Sequence, residues 1–177
     1  LSDHDKNTYQ SKISEGSSLF EALEAIGISY LTSGLQSMRE IPSDCVRFSF
    51  SNAVLEHVLR SEFEDFCREL HRVHLSKSVN AHQVDYKDHL GGQLNNLRLS
   101  HRVWENKLFP NQGYYTNRLR HREVLALFSK AQFAIEEDQM RKWDSVPPSA
   151  KKRARDFAHL NDDDLAVSGA LFTARKE

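Results

Sequence analysis

At 177 residues, 39% of them hydrophobic and 28% charged, the chain is long enough to bury one core without disulfides or metal and too apolar for global disorder. With 24 basic and 25 acidic residues its formal net charge is −1, which excludes an overall field drawing it to nucleic acid or an anionic membrane; any such contact has to be local. Two isolated cysteines, Cys45 and Cys67, exclude a secreted disulfide framework and point to an intracellular protein, cytoplasmic or nuclear, and no window approaches the roughly 18 apolar residues of a membrane span.

Residues 1–17 are polar and patternless and are expected to form a mobile lead-in. From Ser18 onward, Leu19, Leu23, Ile26, Tyr30 and Leu35 recur near the 3.6-residue period and predict a first helix, weakened by Gly27 and Gly34 and ended by IPSD at 41–44. Val46, Phe48 and Phe50 then alternate with polar residues, as in a strand. No second apolar alternation exists to pair with it, so an extended linker or an early helical turn is expected there. Leu55, Leu59, Phe63, Phe66, Leu70 and Val73 fall on one stripe of a helix over about 52–75.

After the polar gap SKSVNAHQ, Leu90, Leu94, Leu97, His101, Trp104 and Leu108 recur at 4-3-4-3-4 spacing and predict a third helix over about 86–108, with a histidine in its seam. FPNQG makes a turn, and a fourth helix reaching Trp143 carries His121, Val124, Leu125, Phe128, Ala131 and Ile135 on one face. SVPPS at 145–149 is a stop. AKKRARDFAHL and NDDDLAVSGALFTARKE read as two further helices, the second with acids in its first turn and Arg175 and Lys176 in its last. The expected fold is all-α, a bundle of four to six antiparallel helices. Its parts are the lead-in over 1–17, the bundle over 18–144 and a proline-separated helical segment over 145–177.

Cys67, His71 and His74 lie on one flank of the second helix, with His82, Asp85 and His89 close behind. Their spacing matches no zinc signature, and the flank reads as the wet edge of a packed helix, so no metal and no cofactor are expected. His101 and His121, each inside an apolar stripe of neighbouring helices, are expected to meet as an interhelical polar pair. Phe109, Tyr114 and Tyr115 cluster in the turn between those helices and offer a contact surface to another protein or to a second copy. In KKRAR, the residues Lys151, Lys152, Arg153 and Arg155 are placed to meet phosphates of a nucleic acid.

RARDFAH at 153–159 resembles the arginine-to-histidine motif of the HEPN helical-bundle ribonucleases. The resemblance implies Arg153, Arg155 and His159 as catalytic groups working without metal, with Ala154 where that family places a polar residue. Phosphate-loop, dinucleotide-loop, zincin, nucleophile-elbow and CxxC motifs are absent from the sequence. The chain is therefore expected to be an intracellular helical interaction or scaffolding module that binds another protein or itself, a binder rather than an enzyme. The alternative is an RNA-binding protein or HEPN-like ribonuclease working through the basic helix.

Overall fold

The computed structural model describes residues 18–110 and 112–177; the lead-in expected over 1–17 lies outside them. The chain divides into two compact units, Leu1–Glu40 and Ile41–Glu177. In the first, α1 spans Leu19–Ala25 and α2 spans Leu35–Glu40. Ser18 and Glu21 close a capping box on α1: Ser18 Oγ accepts from the Glu21 N–H at 3.3 Å, and the Glu21 carboxylate accepts from the Ser18 N–H at 2.7 Å. The single long first helix becomes two short ones because Gly27 and Gly34 take φ of +80° and +55°, which a continuing helix does not allow.

The second unit is built on a four-stranded mixed sheet, which overturns the all-α expectation. Its elements are β1 (Val46–Asn52), α3 (Phe63–Val73), β2 (His74–Asp85), α4 (His101–Trp104), α5 (His121–Lys130), β3 (Phe133–Lys142), α6 (Asp162–Ala166) and β4 (Val167–Lys176). The strand order is β1-β2-β4-β3. β1 runs parallel to β2, with α3 connecting them, while β4 is antiparallel to both of its neighbours, β2 and β3.

The VRFSFS alternation is thus a strand, and it does have a partner. Burial alternates along β2, but the inward positions are Ser78, Asn80, His82 and Val84, mostly polar residues that apolar periodicity does not detect. Two of the inward groups answer β1 directly: Ser49 Oγ lies 2.8 Å from His74 Nε2, and Ser51 Oγ lies 2.7 Å from His82 Nδ1. Phe128 of α5 sits at the centre of the core, with ring centroids 5.0 Å from Phe172, 5.1 Å from His82, 5.6 Å from Phe133 and 6.5 Å from Phe63 of α3. Because Ser49 and Ser51 face this helical side, Phe48 and Phe50 face the other, where they stack on each other at 6.2 Å and are 58% and 75% exposed.

The third expected helix is a loop with one 3-10 turn over Asn95–Arg98 and the four-residue α4. Gly91 and Gly92 at φ +125° and +72° break it, and the Asp88 carboxylate captures the Leu90 N–H at 2.9 Å and the Asn95 N–H. Leu94, Leu97 and Trp104 from the heptad pattern are buried, whereas Leu90 and Leu108 are exposed. The fourth helix stops at Ala131, Gln132 turns the chain at φ +67°, and β3 leaves along the sheet.

The basic helix resolves into 3-10 turns at Pro148–Lys152 and Arg155–Phe157, and the last expected helix is α6 followed by β4. Gly169 of β4 packs closely: a Cβ there would stand 3.1 Å from the Val84 carbonyl oxygen and 2.8 Å from the movable end of the Arg141 side chain. No helix among the described residues is long and apolar enough to cross a membrane.

Candidate functional site at the C-terminal ends of the parallel strands

In open sheets with parallel strands, ligands collect outside the strands' carboxyl ends, where loops and not hydrogen-bonded ladders decide the chemistry. Here β1 and β2 end beside each other. After β1, Ala53 at φ +53° donates its N–H to Gln83 O at 2.9 Å and turns the chain into a 3-10 turn, Leu55–His57. Asn117 fixes that turn by donating from Nδ2 to the carbonyls of Leu55 and Val58, at 2.8 and 2.9 Å, while the Glu56 carbonyl accepts from the Asn117 N–H at 2.8 Å.

Arg118, at φ +61° and buried, anchors the covering loop. Its Nη1 donates to the Asn96 and Leu99 carbonyls at 3.2 and 2.6 Å, and its Nη2 to Glu105 Oε1 at 3.1 Å. The guanidinium lies 5.3 Å from the Trp104 ring and 4.9 Å from that of Phe157. Burial lowers its pKa, and the Glu105 carboxylate opposes that fall.

Three buried polar atoms here have no partner among the described residues: Glu56 Oε2, Asn96 Oδ1 and Arg118 Nε. All three residues line one gap of about 10 Å³, room for a single water. Glu56 is 5% exposed, and desolvation raises its carboxyl pKa, against hydrogen bonds from backbone N–H groups. In the loops after β1 and β2 stand two exposed imidazoles, His57 and His89, with ring centroids 5.0 Å apart. His57 Nδ1 meets the Tyr115 carbonyl oxygen at 2.9 Å and His89 Nδ1 meets that of Gly113 at 3.4 Å. Beside them an open groove of about 290 Å³ is lined by Leu59, Arg60, Ser61, His101, Glu105 and Pro110.

A comparably sized cleft of about 350 Å³ lies elsewhere, between α5, β3 and α6. There Asp138 Oδ1 is 2.8 Å from His121 Nε2, and His121 Nδ1 is 3.0 Å from the Tyr86 hydroxyl. The strand ends are the better candidate because three residues with an unpartnered buried polar atom line one gap there, whereas the cleft has one such atom, His121 Nε2.

The shared fold is that of S-adenosylmethionine-dependent methyltransferases. One from Methanosarcina mazei superposes with a TM-score of 0.50 at 12% identity, over 77% of this chain and 61% of that one. Two more, from Archaeoglobus fulgidus and Mesorhizobium loti, have TM-scores of 0.49 and 0.46 at 5% and 15% identity, over 84% and 77% of this chain and 67% and 64% of theirs. No protein-family model and no curated protein matches the sequence.

The mixed sheet and this likeness overturn the scaffolding module, the self-associating bundle and the RNA-binding or HEPN-like alternative, all of which rested on an all-α chain. The preference for a binder over an enzyme falls on the same ground, because it too rested on an all-α chain. Arg153, implied as catalytic by the HEPN resemblance, donates to the carbonyls of Phe157, Ala150 and Leu160 at 3.1–3.3 Å and closes its own loop. Lys151, Lys152, Arg155 and His159 are exposed.

His101 and His121 fall in different places. His101 takes a hydrogen bond from Arg118 Nη2 at 3.1 Å and lies tilted against the Phe157 ring, with centroids 4.8 Å apart, while His121 belongs to the Tyr86–His121–Asp138 chain. Phe109 and Tyr114 pack on Trp104, and Tyr115 is buried, its hydroxyl donating to Glu105 Oε2 at 2.7 Å. Cys67, His71 and His74 diverge: the thiol is buried and pushed up to about 12, His71 meets the Phe133 ring, and His74 bonds Ser49 and Ser78. Among the described residues no group of three or more His, Cys, Asp or Glu is arranged to hold a metal.

Glu56, His57 and Arg118 were not singled out from the sequence, and His89 was noted only behind the Cys67–His74 flank. The signal was present: if VRFSFS is a strand, the residues directly after it, Val54–Leu55–Glu56–His57, stand at its carboxyl end.

Proposed function

We propose that Ile41–Glu177 is the acceptor-binding part of an S-adenosylmethionine-dependent methyltransferase. The observation that carries this reading is the gap beside the carboxyl ends of a parallel strand pair that is lined by three residues with unpartnered buried polar atoms, in a sheet whose fold is similar to that of methyltransferases.

The described residues do not by themselves enclose S-adenosylmethionine. They offer one unpartnered buried carboxylate, Glu56, and a gap of about 10 Å³, far below the size of a nucleoside. In the order β1-β2-β4-β3 the chain turns back only from β3 to β4, which are antiparallel, so no crevice opens between parallel strands. What these residues do is hold an acceptor: Asn117 and Arg118 fix the loop over the strand ends, and Arg60, His101 and Glu105 line the groove beside it. An intracellular location fits this reading, supported by the two free cysteines.

The test is an amide NMR titration of the chain with catechol, a small hydroxyl-bearing acceptor, at millimolar concentration. Shifts confined to residues 52–61, 85–89 and 101–105 are expected. Shifts elsewhere, or none, would sink the assignment.

A further inference from the structure

We propose that His57 is a proton acceptor for a hydroxyl-bearing ligand, with Nε2 as the accepting atom and His89 as a positioning residue beside it. The proposal rests on the methyltransferase reading for the identity of the site, and on ring geometry for the chemistry.

A backbone carbonyl can only accept a hydrogen bond. The 2.9 Å contact between His57 Nδ1 and the Tyr115 oxygen therefore places the ring proton on Nδ1 and leaves the lone pair on Nε2. His89 is held in the same tautomer by the Gly113 oxygen, at 3.4 Å. One short loop, residues 113–115, thus sets both rings, and both residues are exposed in the loops that follow β1 and β2. Core histidines are arranged otherwise here: His74 and His82 have partners on both ring nitrogens.

The charged groups around the pair argue for a neutral acceptor. Arg60 follows three residues after His57 and donates to the Asn117 carbonyl at 3.3 Å and to Glu123 Oε1 at 3.0 Å. Glu56 points its carboxylate inward, to the Asp85 N–H, and the Glu105 carboxylate is taken by Arg118 and the Tyr115 hydroxyl. No carboxylate among the described residues bonds either ring, so neither a bound cation nor an acid–histidine pair is provided for. In the proton step the ligand's O–H bond breaks, its electron pair stays on oxygen, and the proton joins Nε2 to give imidazolium. The oxygen is left as the nucleophile.

The experiment follows the histidine ring nitrogens by NMR in wild type, H57N and H89Q, alone and with p-nitrophenol as the hydroxyl probe. In wild type the expected result is a protonated Nδ1 and a lone-pair Nε2 at His57. p-Nitrophenol should move that ring toward the imidazolium signature, with a gain of phenolate absorbance. H57N keeps an N–H donor for Tyr115 O but has no Nε2, so it should fold as wild type and lose the absorbance gain; H89Q should retain it in part. A proton on His57 Nε2, an unchanged ring with the probe, or an undiminished phenolate signal in H57N overturns the proposal. None of these depends on the catechol shifts, so failure here with those shifts preserved at 52–61 would leave the methyltransferase reading standing, and the reverse pattern would remove that reading alone.

Discussion

Replacing His82 with Leu tests how the polar interior of β2 controls stability. His82 is 2% exposed; burial, with a smaller contribution from His74, lowers its pKa from 6.5 to about 4. The folded chain therefore binds a proton less readily than the unfolded chain, and stability is fully present above the unfolded value and lost as pH falls from 6.5 toward about 4. At 1.36 kcal/mol per unit the full loss is about 3 kcal/mol, of which about 2 kcal/mol is gone by about pH 5. Leu at this position removes that titration. It also strips the partners from Ser51 Oγ and Asn80 Oδ1, a cost of about 1–3 kcal/mol at neutral pH. The assay is urea unfolding followed by circular dichroism at neutral pH and at about pH 5. H82L should be the less stable protein at neutral pH, and its deficit should shrink by about 2 kcal/mol at the lower pH. His74 titrates in both proteins and cancels. A deficit that is the same at both pH values would refute the reasoning.

Four further outcomes are expected. With Cys45 exposed and the buried Cys67 thiol pushed up to about 12, one thiol should react rapidly with Ellman's reagent and the second only on unfolding. Phe128→Ala, which empties the centre of the core, should cost about 3–5 kcal/mol in unfolding experiments. Arg153→Ala should leave the sheet intact but speed hydrogen exchange at the Ala154 N–H, which bonds Leu97 O at 2.8 Å. Phe48→Ser with Phe50→Ser should lower binding of a hydrophobic dye without changing the unfolding midpoint by more than about 1 kcal/mol, because both rings are exposed in the folded state.

What the sequence exposes and what it hides divide along one physical line. The α3 stripe was legible because Phe63, Leu70 and Val73 are apolar, buried and spaced by helix geometry. β1 was legible as an alternation but discounted for want of a partner, since β2 buries His74, Ser78, Asn80 and His82 where an apolar strand would bury Val or Ile. Leu94, Leu97 and Trp104 were recognised as core residues, yet local chemistry overrode their helical spacing: Asp88 and the two left-handed glycines hold the chain in a loop. β3 was absorbed into a helix because Glu136–Gln139 look like an exposed helical face, and exposed they are, along an edge strand that buries Phe133. The site was illegible for the same reason as the sheet. Glu56 and His57 mean little in a helix and a great deal at the end of a parallel strand.

β4 pairs with both β2 and β3, so the strand made last among the four lies inside the sheet and not at its margin. A ribosome delivers β3 before the segment it pairs with exists. Until Val167–Lys176 emerges, a nascent chain carries an unfilled β2 edge and a strand with nothing beside it. Such intermediates are the usual substrates of chaperones and the usual seeds of aggregation. A frameshift or cleavage ahead of Val167 would therefore do more than shorten the protein: it would strand β3 and leave of the sheet only the β1–β2 pair.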